Sequence, residues 1–387
     1  MPKWIPLAFI AVLCSCEKYS EDTIVPDSKH YSDVERVVDM QVPTDFDWST
    51  EQEIVLTLKS AVSQRVQCVD ADGQVIQKLW LAAGQAMEIK VVVSAYQTKI
   101  TDGDGVPDDD DDYPNDAARA FNNYFPSSGP GTLMFEDLWP YKGDYDFNDV
   151  VVDYRFTTVT NAQNFVVETM ADFTLRASGA GYENGFGFQL SNNATLTASD
   201  ITVNGMQLNS GAIQVDANGL EIGQTIPTVI VFDNFFDLMT RPGGIGVNTQ
   251  AGRPFVPHAQ VAVLMSYTSS TFSLLDLKIE DFNPFIYINQ DRSKEVHLPN
   301  HPPTDLANSA LLGTGEDDSQ VGSQRYYQTE DNLPWALNIL ESIPYPLEKT
   351  DIILAYPQFD NWAQSGGLQF RDWYVNQANN RVEQHLY

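Results

Sequence analysis

Short runs of alternating, often β-branched residues, separated by Gly, Asn and Asp, recur from Ile54 far into the C-terminal half of the chain. Few segments carry a helical period, and no strand–helix alternation appears, so a doubly wound nucleotide fold is excluded. The remaining solution is an all-β chain of antiparallel sheets packed face to face, each run burying one side. With 387 residues there is room for two or three domains, and 43% hydrophobic against 19% charged residues suffices for packed cores.

Four runs, Ile54–Leu58, Arg65–Val69, Gln74–Trp80 and Met87–Ser94, with the turn Asp70–Gly73 between the second and third, predict a small β-sandwich over residues 36–98. A larger sandwich or jelly-roll-like domain is expected over residues 117–387. Its clearest strands are Val150–Thr158, Phe165–Arg176, Phe186–Leu190, Thr228–Phe232, Gln260–Tyr267 and Phe285–Ile288. Helix is expected only in short pieces: Asp116–Tyr124, with Asp116 as N-cap, and Thr350–Gln364, stopping before Gly366-Gly367.

The N-terminus points to the compartment. Lys3 precedes an apolar run, Trp4–Leu13, long enough for a signal-peptide core and too short to span a bilayer. The run ends in Leu13-Cys14-Ser15-Cys16, which resembles a bacterial lipobox. That resemblance implies removal of residues 1–15, lipidation of Cys16, and attachment to a membrane through it; an ordinary secretory signal is the competing reading. Residues 16–35 then form an acidic tether. Cys68 has no disulfide partner left and is expected to be a small core residue. With 22 basic against 53 acidic residues, a formal charge of -31 repels phosphate backbones, which excludes nucleic acid as a partner.

Between the two domains, residues 99–116 hold eight carboxylates, from Asp102 to Asp116. Counted from Ile100 as a twelve-residue calcium loop, Asp102 falls at position 3, Asp104 at 5, Gly105 at the sharp turn, Asp108 at 9 and Asp111 at 12. Ile100 stands where an acid is expected. The loop resembles a single thrombospondin type-three calcium repeat, which implies a calcium-stiffened connector; a merely solvated acidic linker competes. Oxygen-only ligands, without His or Cys, argue against zinc.

A second acidic constellation runs from Phe135 to Tyr154. In Asp144-Tyr145-Asp146-Phe147-Asn148 the polar residues are even-numbered, whereas Val150, Val152, Tyr154 and Phe156 form the following apolar set. One extra residue must therefore be absorbed near Asn148-Asp149, as a bulge or tight turn. That irregularity would aim Asp144, Asp146, Asn148 and Asp149 into one volume, with Glu136 and Asp137 near enough to join, as a second calcium site. The competing reading has these acids capping turns. With His297-Leu298-Pro299-Asn300-His301, Gly313–Asp318, Asp331–Ala336 and Asp372-Trp373-Tyr374, the segment resembles the LruC-domain family of bacterial outer-membrane lipoproteins over most of residues 100–387. The resemblance implies an envelope location and a fold, and no catalytic set.

No catalytic constellation is evident in the residues. His297 and His301 are four apart, but Pro299 prevents the helix that would place both on one face for zinc. Glu316 or Asp317 could be paired with Glu136 or Asp137 as glycosidase acids, although nothing in the sequence pairs them. Loop aromatics Trp139, Tyr141, Trp335, Trp362 and Trp373 are candidates to stack on a glycan or dock a protein, against the plainer role of anchoring loops. The expectation is a lipid-anchored, calcium-stabilised binding or adhesion module, with a structural or pilus-like envelope subunit as the alternative and a glycan hydrolase as a lesser one.

Overall fold

Antiparallel sheets account for almost all the regular structure, as the alternating runs require. The computed structural model describes residues 11–12, 51–59, 63–69, 75–94, 104, 106, 110–190, 196–268 and 272–387. The chain divides into two compact units, Met1–Ala120 and Phe121–Tyr387.

The first unit contains β1 (Ala11–Val12), β2 (Glu51–Lys59), β3 (Gln64–Val69), β4 (Val75–Leu81) and β5 (Ala86–Ser94). β1, β2 and β5 form one sheet, and β3 pairs with β4 in a second. β2 and β5 pair without interruption from Glu51 opposite Ser94 to Lys59 opposite Ala86. Leu58, Leu81 and Ile89 are buried. Turn residues 70–73 and Cys16 lie outside the described residues.

The second unit is built from β6 (Phe121–Phe125), β7 (Gly131–Phe135), β8 (Val150–Thr160), β9 (Val166–Ala177), β10 (Gly185–Gln189), β11 (Ile201–Asn204), β12 (Thr228–Phe232), β13 (Ala259–Tyr267), β14 (Asn283–Tyr287), β15 (Glu295–His297) and β16 (Ala336–Ile339). The large sheet runs β11-β13-β9-β8-β7-β16, with β6 also on β8, and the small one runs β12-β10-β14-β15. One edge of β8 carries two strands in succession: β7 along Val150–Tyr154 and β6 along Phe156–Thr160.

Aromatic rings join the two sheets. Phe156 of β8 lies edge-on to Phe188 of β10, with ring centroids 5.7 Å apart, and Phe173 of β9 meets Phe186 at 5.3 Å. Each fully buried ring contributes roughly 2 to 3 kcal/mol of apolar burial. Gly185 and Gly187 alternate with those rings on β10, and a Cβ at Gly185 would lie 2.0 Å from the Tyr287 ring.

The far face of the large sheet is covered by the C-terminal segment. Met134, Phe147, Val151 and Ala177 pack with Ile343, Tyr345, Ile352, Tyr356, Phe359 and Trp373. This third layer places the chain after Pro344 over the start of β8.

The helices depart from expectation. Residues 116–124 are not helical: turns lead into β6, because pairing with β8 gives Phe121–Phe125 a complete strand ladder that an isolated helix of poor helix formers could not match. Asp116 still caps locally, accepting from the Ala118 N–H. Besides the four-residue α1 (Phe235–Leu238) and α2 (Leu274–Leu277), helix occurs as α3 (Ile352–Ala355) and α4 (Phe359–Gln364). The expected Thr350–Gln364 helix is thus broken at Tyr356-Pro357, where proline removes a donor and disfavours helical backbone before it. Asp351 caps α3 by accepting from the Ile353 N–H.

Candidate metal centre

The register between β7 and β8 gathers the acids. Phe135 stands opposite Val150, so the connection from 136 to 149 leaves and re-enters the sheet side by side, with Glu136 and Asp137 beside Asn148 and Asp149. Between these flanks the chain doubles back. Tyr145 and Phe147 both adopt left-handed backbone, with φ of 55° and 52°, a conformation costing on the order of 1 to 2 kcal/mol per non-glycine residue. Those reversals are held by named hydrogen bonds: the Phe147 N–H donates to Glu136 Oε1 at 2.7 Å and the Asn148 N–H to Asp146 Oδ1 at 3.1 Å. The extra residue inferred from the sequence is absorbed at these reversals and in a register shift against β9 between Val151 and Val152.

As a result Glu136, Asp144 and Asp146 each present a carboxylate oxygen within 4.8 Å of the others. Glu136 and Asp146 are buried, and Asp144 closes the group from the solvent side. Gly143 makes the approach possible, since a Cβ there would lie 1.7 Å from Glu136 Oε2. The C-terminal layer contributes the Lys349 backbone N–H, which donates to Asp146 Oδ2 at 2.7 Å. Asp149 turns instead toward Asp137: its Oδ2 accepts the Asp137 N–H at 2.8 Å. Asn184 Nδ2 donates to Asp137 Oδ2 at 2.7 Å.

Among the described residues none of these five acids forms an ion pair. Two charges ~5 Å apart at an effective dielectric near 20 repel by about 3 kcal/mol. Burial, reinforced by Asp146, pushes Glu136 well above the carboxylate range. Burial and then the charge of Asp144 raise Asp146 to about 7. Burial and then Asp137 raise Asp149 strongly. Such a group must either hold protons or accept a cation, and its oxygen-only donors match hard divalent ions.

A family model described as "Domain of unknown function (DUF4842)" matches residues 164–374, more than half of the chain. The chain belongs to the DUF4842 family. No curated protein matches it. Among solved structures, it is similar to a candidate lipoprotein from Bacteroides ovatus, with 18% identity, 88% of this chain and 93% of the other covered, and a TM-score of 0.49. Within the DUF4842 chain, the family match takes in Asn184 and Lys349, whereas Glu136 to Asp149 precede it.

The remaining sequence-derived candidates of this DUF4842 chain fall elsewhere. Asp102 and Asp108 lie outside the described residues. Asp104 Oδ1 accepts the Val106 N–H, Asp111 Oδ1 accepts the Tyr113 N–H, and Asp104 adds to the effect of burial in raising Asp111. Trp139, Trp335 and Trp373 are core residues, with exposures of 4%, 0% and 2%: Trp139 packs on Tyr327, Trp373 on Phe359, and Trp335 lies in the inter-sheet core with its Nε1–H donating to the Tyr141 carbonyl. Trp362 is half-buried, and Tyr141 alone of the five aromatics is exposed. Glu316 and Asp317 cap turns: Glu316 Oε2 accepts the Lys142 N–H, and Asp317 accepts from the Gly313 N–H and Ser319 Oγ.

His301 Nδ1 faces the Pro299 carbonyl, whereas His297 is fully buried on β15 between Asn283 and Glu295. Beside it Arg292 forks onto Glu221, with Nε–Oε1 2.6 Å and Nη2–Oε2 2.7 Å, and also pairs with Glu295. This network and Glu348 are what sequence reasoning missed. Glu348 stands in the C-terminal layer near the acidic centre, raised by burial and then by Asp144. Its only sequence signal is a lone acid after a Pro-Tyr-Pro run.

Proposed function

We propose that this chain is a lipid-anchored cell-envelope protein whose C-terminal sandwich is a calcium-stabilised binding or adhesion module. The observation that carries the reading is the convergence of Glu136, Asp144 and Asp146 within 4.8 Å, two of them buried and without an ion-pair partner among the described residues. Calcium would be held by these three carboxylates, and water and neighbouring oxygens would complete its six to eight ligands. Held there, it offsets the repulsion in the loop that joins β7 to β8 and, through the Lys349 N–H on Asp146, fastens the C-terminal layer to the sandwich.

The envelope location is supported by Leu13-Cys14-Ser15-Cys16 and by the likeness of the Asp144–Asp149 string to LruC-domain lipoproteins. No helix among the described residues is long and apolar enough to cross a membrane; attachment in this reading goes through lipid on Cys16. The exposed Tyr141 and Leu138 flank the acidic loop and give a glycan or protein ligand an apolar surface that calcium would hold in shape. A pilus-like role by strand addition finds little edge in the second unit, where β15 and β16 have only three and four residues, and would have to use the nine-residue edge strand β5 of the first unit. A hydrolase role is weakened because Glu316 and Asp317 are occupied in turn caps. Melting of the full chain with calcium and with chelator tests the metal reading: identical curves would refute it. Metabolic labelling with palmitate tests Cys16, and a Cys16→Ser variant that still incorporates label would refute the anchor.

A further inference from the structure

A buried oxygen without a partner lies just beyond the triad. The Asn148 side chain is fully buried; its Nδ2 donates to the Pro346 carbonyl at 3.1 Å, and its Oδ1 has no hydrogen-bond partner. The Pro346 carbonyl fixes the amide's orientation, because the flipped rotamer would set two acceptors against each other. Oδ1 therefore points at Gly179. The Cβ position of Gly179 lies 1.9 Å from Asn148 Oδ1 and 2.8 Å from Glu348 Oε2, so the missing side chain lets two acceptors from different layers of the fold come close together beside the Gly179 backbone. Thr249 Oγ1 is 3.3 Å from the same Glu348 oxygen. The charges of Asp144 and Asp137 both bear on Glu348.

We propose that Asn148 Oδ1 and Glu348 hold a second divalent cation, adjacent to the first and sharing the field of Asp144. An amide oxygen and a carboxylate brought together, with the Thr249 hydroxyl donating to that carboxylate and able to turn a lone pair inward, suit a hard cation of the calcium class. An uncompensated buried acceptor is otherwise costly. The proposal rests on the triad reading only through Asp144, a triad member whose charge also bears on Glu348. The second ion acts as a clamp: Asn148 lies two residues before β8, Glu348 belongs to the C-terminal layer, and Thr249 follows Val247, which pairs with Ser178. Three chain segments distant in sequence would thus be fastened by one ion.

The test is cation stoichiometry of the full chain by equilibrium dialysis with calcium, for the wild type, Glu136→Gln and Glu348→Gln, with anomalous diffraction from terbium-loaded crystals as the second measurement. Glu348→Gln keeps the shape of a half-exposed side chain, so the fold should survive. The expected result is the loss of one equivalent in Glu348→Gln and a terbium peak between Asn148 and Glu348, separate from the triad's. Unchanged stoichiometry in Glu348→Gln, or a water alone bridging Asn148 Oδ1 and Glu348, overturns the second position. If Glu136→Gln meanwhile loses one equivalent, the triad stands without it. If only Glu348→Gln loses an equivalent, the clamp stands and the triad falls.

Discussion

The second unit buries two carboxylate clusters, and they solve the same electrostatic problem in opposite ways. Around β15, Glu295 is buried, which by itself would raise its pKa, yet hydrogen bonds and charge from His297, with Arg292 and Thr304, hold it down at about 2. At the start of β8, Asp146 is buried to a similar degree and is pushed up to about 7. The difference lies in what the fold supplies. Arg292 brings a guanidinium into the first cluster, whereas the second receives only neutral donors, backbone N–H groups and the Asn184 amide, and further acids. A buried acid cluster that carries its own cation is a structural strut, and one that lacks it is a receptor for a cation from outside.

The sharpest way to break this comparison is to remove the built-in cation. Arg292→Met leaves Glu295 and Glu221 buried and uncompensated, and should destabilise the unit by about 3 to 5 kcal/mol in urea denaturation. The loss should be the same with and without calcium. A loss that calcium restores would mean that the two clusters are not distinct in kind.

Next in size is the pH dependence, which should have opposite signs at the two places. Asp146 is raised in the fold from 3.8 to about 7, so in the chelated protein its stability contribution is present at low pH and lost as pH rises from about 4 to about 7. That loss is on the order of a few kcal/mol. Calcium should flatten the slope by favouring the ionised form. Glu295 is lowered from 4.5 to about 2, so its contribution is present above the unfolded value and disappears as pH falls toward 2. Chemical denaturation at several pH values, with and without chelator, separates the two; a chelated protein that gains stability between pH 4 and 7 would contradict the assignment at Asp146.

A smaller change is expected from Glu136→Gln. Removing one buried charge should stabilise the chelated protein by about 1 to 2 kcal/mol, while the gain from calcium is lost. Because Gln keeps an oxygen for the Phe147 N–H, loss of stability in chelator would contradict the repulsion assigned to Glu136. The smallest effect is expected in the first unit. Asp111→Asn retains an oxygen for the Tyr113 N–H and should shift stability by less than about 1 kcal/mol, leaving the second unit's response to calcium intact.

The same contrast explains what could be read from residue order. Strands were legible because their alternation is local: Thr228–Phe232 is β12 residue for residue, and the runs that became β8, β9 and β13 agree within a few residues of their ends. Residues 116–124 misled because the partner that makes Phe121–Phe125 a strand is β8, which local propensity does not see. In the acidic centre, Asp144, Asp146 and the nearby Glu136 were legible because the β7–β8 connection is continuous in sequence. Glu348 and Lys349 were not, because they reach the centre only through the packing of the C-terminal layer. Between 102 and 116 the density of Asp was legible as well, but a count of acids does not reveal burial, and Asp111 is buried there while Asp102 and Asp108 lie outside the described residues.

Calorimetric titration of the full chain with calcium at pH 7, wild type beside Glu136→Gln, addresses that demand most directly. Saturable binding with a Kd on the order of 10⁻³ M or tighter, with at least one equivalent missing from the variant, is the expected result. Equal binding by the two proteins, or none by either at millimolar calcium, would mean that the buried carboxylates at the start of β8 are neutralised by protons alone.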